Sequence, residues 1–215
     1  MLIMSSHWHD SVKALFAEAP GLAVELASRL NGNPLPAGIP AHPEKPANGY
    51  GPAANPDADA VIVVGPEKNP VRAIIVTAQK RTYHDKPLRW AHQAAHLWTD
   101  LRCPVDVLVI CPAAKSAFFY ARPVPTTLRG YVFVPLVVPP SAVPVITDPD
   151  EAAANPAMAV LSIAYHGTDP AVPAAVAAGF RQLPSDRAAR YRDRAYSIAP
   201  LAVQRLLGQL GWENA

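Results

Sequence analysis

Two short apolar runs in the first half of the chain constrain the fold more than any other feature. Asp59 opens a run of alanine, isoleucine and valine, and a second such run leads into Thr77 and Gln79. Short runs of β-branched residues bounded by turn formers are typical of buried strands. The connection between the runs is rich in glycine and proline, so we expect strands at 59–65 and 71–79 to pair as a hairpin.

The rest of the pattern predicts an α/β fold. Apolar residues recur at helical spacing over 11–31, with a break at Pro20, and again over 86–102. Strands cluster in the middle of the chain and helices at both ends, which is typical of a central mixed β-sheet flanked by helices. The further elements that we expect are strands at 105–111, 117–121 and 131–138, an alanine-rich helix at 152–166, and two or three helices within 171–211.

The domain organisation follows from the same pattern. We expect residues 1–150 to form the α/β core and residues 151–215 to form a helical C-terminal section packed on it. Residues 33–56 hold seven prolines and three glycines without periodicity, so we interpret them as a loop of the core. Half of the 215 residues are hydrophobic, which excludes general disorder and allows a sizeable core.

The charge balance limits the classes of partner. The formal charge is +2, and only 17% of the residues are charged. A protein that grips duplex DNA over a long footprint usually has a stronger basic excess. The composition therefore disfavours such a protein, while a local basic patch stays open.

The cysteines and the apolar segments predict a cytoplasmic protein without a membrane partner. Cys103 and Cys111 bracket a predicted strand that spans roughly 26 Å, which is far beyond disulfide reach. A reduced compartment is the simpler interpretation. The first residues have no basic segment of the kind that opens a signal peptide. Residues 131–146 are apolar, but four prolines interrupt them, so we do not expect a membrane-spanning helix.

Several phrases of the sequence, in this order and spacing, resemble the PD-(D/E)XK nuclease-like superfamily. Within it, the stretch from Gly21 to Gly167 is similar to an actinobacterial group loosely related to recombination-promoting nucleases and putative transposases. The resemblance covers about two thirds of the chain and implies a restriction-endonuclease-like fold. The matching phrases are Gly21-Leu-Ala-Val-Glu-Leu26, Asp57-Ala-Asp-Ala-Val61, Leu101-Arg-Cys-Pro104, Val107-Leu-Val-Ile-Cys-Pro112, Val145-Ile-Thr-Asp-Pro149 and Ala159-Val-Leu-Ser-Ile-Ala-Tyr-His-Gly167.

The resemblance implies a set of candidate site residues. In the superfamily, two strand acids hold a divalent cation and a lysine stabilises the phosphate charge. Asp59 matches the first acid and would be the Mg²⁺ ligand, while Thr77 stands at the second acid and Gln79 at the lysine. The actinobacterial group typically has Glu-Val-Gln here, so Gln79 is retained and Thr77 replaces the glutamate. Glu25 matches a helix-borne additional acid, so the candidate catalytic residues are Asp59, Gln79 and Glu25.

Three functions are compatible with these residues. The leading hypothesis is a degenerate nuclease-like pseudoenzyme with weak or no phosphodiester hydrolysis, which acts by binding a protein partner or nucleic acid. An alternative is an active Mg²⁺-dependent DNA endonuclease that uses Asp59, Glu25 and a migrated acid such as Asp85. A second alternative is a structural or self-assembling protein, a homo-oligomer, with residues 131–146 as its interface.

Each candidate residue also has an ordinary structural interpretation. Asp59 is then a strand-end aspartate that caps a turn, Glu25 an ion-pair partner of Arg29, and Gln79 the end of a strand. His92 and His96 have a spacing that can clamp a metal, but we expect them on an exposed helix face. An arginine stripe suits either nucleic-acid contact or a solvated face laced with ion pairs; its members are Arg187, Arg190 and Arg194.

Overall fold

The computed structural model describes residues 3–32, 38–44 and 58–212. These residues belong to two compact units: one combines Met1–Leu15 with Val143–Ala215, and the other is Phe16–Ala142. The predicted division at residue 150 stays a prediction. Asp57 and most of the predicted loop at 33–56 lie outside the described residues, but within that loop Ala41–Pro43 forms a strand.

The unit Phe16–Ala142 is built on a mixed five-stranded sheet, which confirms the α/β prediction. Its strand order is β1-β2-β3-β4-β7. The first three strands are antiparallel, whereas β3, β4 and β7 run parallel. Two further strands form a separate ribbon. The strands are β1 (Ala41–Pro43), β2 (Ala60–Val64), β3 (Arg72–Ala78), β4 (Val105–Ile110), β5 (Val124–Pro125), β6 (Val132–Phe133) and β7 (Leu136–Val138).

The predicted hairpin is confirmed as β2 and β3. Every residue of both strands is buried, which explains the continuous apolar runs of the sequence. The amide of Val71 donates to the Val64 carbonyl oxygen at 2.8 Å and closes the turn. Gly65 adopts a φ of 101°, and a Cβ there would lie 3.1 Å from the Val71 nitrogen. The turn therefore requires glycine.

The helices of this unit cover the sheet. Helix α1 (Ile3–Glu18) ends just before the predicted break, and most of it belongs to the other unit. Helix α2 (Gly21–Asn31) begins just after the break and contacts β3, β4 and β7. Helix α3 (Lys86–Leu101) buries Trp90, Ala94 and Leu97 against alternate strand residues on one face of the sheet. Trp98 of the same helix lies outside this buried set and is 54% exposed.

Two strand predictions in this unit are wrong. Residues 117–121 belong to a helix, α4 (Ala114–Tyr120), which buries Ser116, Ala117 and Tyr120 along one side. The predicted strand at 131–138 is broken at Pro135, which lacks a donor for the ladder, so β6 and β7 join different sheets. A short 3₁₀ helix, Pro140–Ala142, follows.

The other unit is helical, as expected for the end of the chain. The predicted helix at 152–166 is divided, because Asn155 caps a new helix by accepting from the Met158 amide at 3.2 Å. Among the described helices, none combines the length and the apolar content that crossing a membrane requires. The helices are α5 (Pro149–Ala154), α6 (Pro156–His166), α7 (Ala171–Phe180), α8 (Ser185–Ile198) and α9 (Leu201–Gln209).

Candidate functional site

The open end of the β2–β3 hairpin carries the residues that the sequence singled out. Ala60 pairs with Val76, so the register places Asp59 beside Thr77. The Asp59 amide donates to the Val76 carbonyl oxygen at 2.9 Å. Its carboxylate reaches further along β3, where Oδ2 accepts from the Ala78 amide at 2.6 Å. Asp59 thus clamps the start of β2 to the end of β3 through both backbone and side chain.

Thr77 and Gln79 form a buried polar pair at the same strand end. Thr77 is fully buried and Gln79 is 3% exposed. The Gln79 Nε2 donates to the Thr77 Oγ1 at 3.1 Å, and the Gln79 amide donates to the Ile110 carbonyl oxygen at 2.9 Å. Side chains alternate along a strand, so both residues share the face of β3 that α3 covers. Their hydrogen bonds satisfy polar groups that burial would otherwise penalise.

Helix α4 fixes the loop that follows β3. The Tyr120 hydroxyl donates to the Arg81 carbonyl oxygen at 2.9 Å and accepts from the Tyr83 amide at 2.9 Å. The Ser116 Oγ lies 3.5 Å from the Lys80 carbonyl oxygen. This loop is therefore held in place by side chains that the sequence analysis did not select.

Cys111 follows β4 directly, and its surroundings make it unreactive. Desolvation by burial raises the pKa of the Cys111 thiol to about 11, and a hydrogen bond from Ser116 offsets this only in part. A thiol with so high a pKa is protonated at neutral pH and is a poor nucleophile or metal ligand. Cys111 lies near the site because β3 and β4 are parallel, which brings the residues after β4 beside the end of β3.

Other acids proposed for the site contact arginines of their own helices. Glu25 Oε1 lies 2.6 Å from Arg29, and Asp85 Oδ2 lies 2.9 Å from Arg89. Lys80 has an exposed side chain, although nearby protein partly desolvates its ammonium and lowers its pKa. The structure therefore unites Asp59, Thr77 and Gln79 at one strand end.

The two polar helix faces that the sequence highlighted carry ion pairs and cation–π contacts. His96 Nδ1 lies 2.7 Å from Asp100 on the exposed face of α3. On α8, Arg190 pairs with Asp186 at 3.1 Å. The guanidinium groups of Arg187 and Arg194 lie over the Tyr191 ring, 5.7 and 5.8 Å from its centre. These contacts are typical of a solvated face with ion pairs and cation–π contacts.

The donor set at the strand end does not fit a cation held between two strand carboxylates. It offers the carboxylate of Asp59, one of whose oxygens accepts a backbone hydrogen bond, and the neutral hydroxyl of Thr77. Hard divalent cations favour carboxylate oxygens over a neutral hydroxyl. Within residues 3–32, 38–44 and 58–212, no group of three or more His, Cys, Asp or Glu side chains is placed to hold a metal.

Comparisons of the chain with protein-family models, with curated proteins and with solved structures found no match. The resemblance to PD-(D/E)XK nucleases therefore stays a prediction.

Proposed function

We propose that this protein is a nuclease-like pseudoenzyme, an α/β domain without efficient phosphodiester hydrolysis that acts by binding a partner. One observation carries the proposal. A carboxylate oxygen of Asp59 accepts a hydrogen bond from the Ala78 amide at 2.6 Å, and the neighbouring Thr77 accepts one from the Gln79 side chain. The strand end is thus organised as a hydrogen-bonded clamp.

The charge of these groups supports the loss of hydrolysis. Cleavage of a phosphodiester builds negative charge around phosphorus, which nucleases stabilise with a metal ion and a cationic side chain. Thr77 and Gln79 are neutral and buried. Neither group can supply the positive charge that stabilises a developing phosphate anion. The pair is therefore suited to holding strands together rather than to stabilising a transition state.

A protein partner is favoured over a long nucleic-acid footprint. The formal charge of the chain is only +2, and on α8 the charge of Arg190 is opposed by Asp186. Nucleic-acid affinity depends on uncompensated cations that neutralise phosphates. Salt-dependent retention of DNA by the purified protein would contradict this preference.

The test is a cleavage assay on plasmid and single-stranded DNA with Mg²⁺ or Mn²⁺, run beside Asp59→Asn. The asparagine keeps an oxygen for the Ala78 amide and removes the charge that a metal needs, so folding and catalysis are separated. We expect no metal-dependent cleavage by either protein. Cleavage by the wild type that disappears in Asp59→Asn would establish the endonuclease alternative.

A further inference from the structure

At the end of β4 opposite the Asp59 clamp, one edge of this strand is left uncovered by the strands that the structure describes. Strand β7 pairs with β4 only at residues 108–110. In the part of the chain that the structure describes, no strand pairs with Val105, Asp106 or Val107 on this side. The cause lies in Pro135, where the chain leaves the line of β7 and β6 pairs with β5 instead.

A groove of about 750 Å³ lies along this uncovered edge. Val105, Asp106 and Val107 all line it. Successive side chains of a strand point to opposite faces, so three consecutive residues share one groove only along the edge of the strand. Val107 is only 1% exposed, so the part of the β4 edge that is accessible from the groove is at Val105 and Asp106, which are partly exposed. Its other walls are Ala94, Ala95 and Trp98 of α3 and Leu128, Arg129, Tyr131, Val132, Phe133 and Val134 of the ribbon.

The walls of the groove expose an unusual concentration of apolar side chains. Trp98, Leu128, Val132 and Val134 are 54%, 65%, 58% and 57% exposed, respectively. Single exposed apolar residues are ordinary, whereas a contiguous patch marks a binding surface. Together with the open strand edge, this patch suits a guest that offers both backbone hydrogen bonds and apolar side chains.

The uncompensated charge of the groove is positive. Asp106 lies 3.2 Å from the Arg72 guanidinium, so its charge is already opposed. Arg129 is exposed and has no ion-pair partner among the described residues. A carboxylate at one end of the guest would therefore be attracted to the groove.

We propose that this groove binds an extended apolar segment of a partner protein, flanked by acidic residues, which adds a strand to the free edge of β4. The guest pairs with about two residues, or roughly 7 Å, of the edge at Val105 and Asp106. The proposal names a partner class for the binding function proposed above. It uses the opposite end of β4 from the clamp, so detection of hydrolysis would leave it intact.

A second copy of this chain is a poorer occupant than a foreign peptide. In a two-fold dimer the same patch faces itself, which would bring the exposed Arg129 of both copies into one small interface. Like charges placed together in an interface oppose association. An acidic peptide has no such conflict.

The probe is a fluorescein-labelled peptide, Gly-Ser-Asp-Val-Thr-Val-Asp-Ser-Gly, whose two aspartates serve either strand direction. We expect saturable binding to the full chain by fluorescence anisotropy. Replacing the aspartates by lysine is expected to weaken binding at least tenfold. Methylating the backbone nitrogens of the central three residues is expected to abolish binding, because strand addition needs their hydrogen bonds.

Protein variants locate the binding surface. Trp98→Ala and Arg129→Glu are each expected to weaken binding about tenfold or more, since Trp and Arg dominate interface energetics. Leu88→Ala, an equally exposed residue of α3 away from the groove, and Arg205→Glu are matched controls that should bind as the wild type does. All four side chains are exposed, so folding is preserved.

Three results would overturn the proposal. The first is an absence of saturable binding up to about 1 mM peptide, the weakest affinity a specific site is expected to show. The second is equal binding of the methylated peptide or equal binding by Trp98→Ala. The third is a stable dimer in analytical ultracentrifugation that Val132→Arg converts to a monomer, because a second copy would then occupy the groove.

Discussion

The Asp59 clamp leads to a quantitative prediction about stability. The 2.6 Å hydrogen bond from the Ala78 amide to the Asp59 carboxylate joins an ionised acceptor to a fully buried residue. Hydrogen bonds to charged groups contribute about 2 kcal/mol to stability, and neutral ones about 1 kcal/mol. Asp59→Ala should therefore lower the free energy of opening at this strand end by about 2 kcal/mol. Asp59→Asn, which keeps an acceptor oxygen, should lower it by about 1 kcal/mol.

Amide hydrogen exchange at Ala78 measures this opening directly. A loss of about 2 kcal/mol corresponds to exchange about 30-fold faster in Asp59→Ala, and about 5-fold faster in Asp59→Asn. Asp186→Ala is the control, because it removes a fully exposed aspartate of the other unit and should leave exchange at Ala78 unchanged. Equal protection of Ala78 in wild type and Asp59→Ala would refute the clamp and reopen a chemical role for this carboxylate.

Three further predictions concern other side chains of the same unit. Tyr120→Phe removes the hydroxyl that holds two backbone groups of the loop after β3, so the free energy of unfolding in urea should fall by about 1–3 kcal/mol; an unchanged value would contradict that role. Because burial raises the pKa of Cys111 from 9.0 to about 11, the stability it contributes is complete below pH 9 and is lost as the pH rises through 11. The loss of unfolding free energy between pH 9 and pH 11, measured by urea titration, should be smaller in Cys111→Ala than in the wild type. Identical dependence of stability on pH in the two proteins would contradict this prediction. Asp106→Ala leaves Arg72 buried without its 3.2 Å partner and should lower the free energy of unfolding by about 3 kcal/mol. The double variant Arg72→Met with Asp106→Leu should recover most of that stability in thermal unfolding. A double variant as unstable as Asp106→Ala would show that the ion pair is not the cause.

The strands that carry the site were predictable because a strand buried on both faces has consecutive apolar residues in its sequence. Strand β2 is apolar throughout, β3 contains the apolar run 73–76, and a glycine-containing turn joins the two strands. The contact between Asp59 and the Ala78 amide was not predictable, because it depends on the register and local twist of the pair rather than on residue type.

The errors have equally specific causes. The aromatic residues of α4 are common in strands, and only the burial of Ser116, Ala117 and Tyr120 on one side reveals a helix. Pro135 was visible as a breaker, but the sequence does not show that the segments before and after it join different sheets. The groove beside β4 exists because β7 covers only half of that strand. How much of β4 is covered depends on which distant segments pair with it, and no short stretch of the sequence indicates this.

The most direct test is a titration with Mn²⁺ followed by electron paramagnetic resonance. The signal measures the free ion, and the bound ion is the difference from the total. The account predicts no stoichiometric site tighter than about 1 mM at the end of β3, and the same titration curve for wild type and Asp59→Asn. One Mn²⁺ bound per wild-type chain and lost in Asp59→Asn would contradict it. That result would show that the Asp59 carboxylate is a metal ligand.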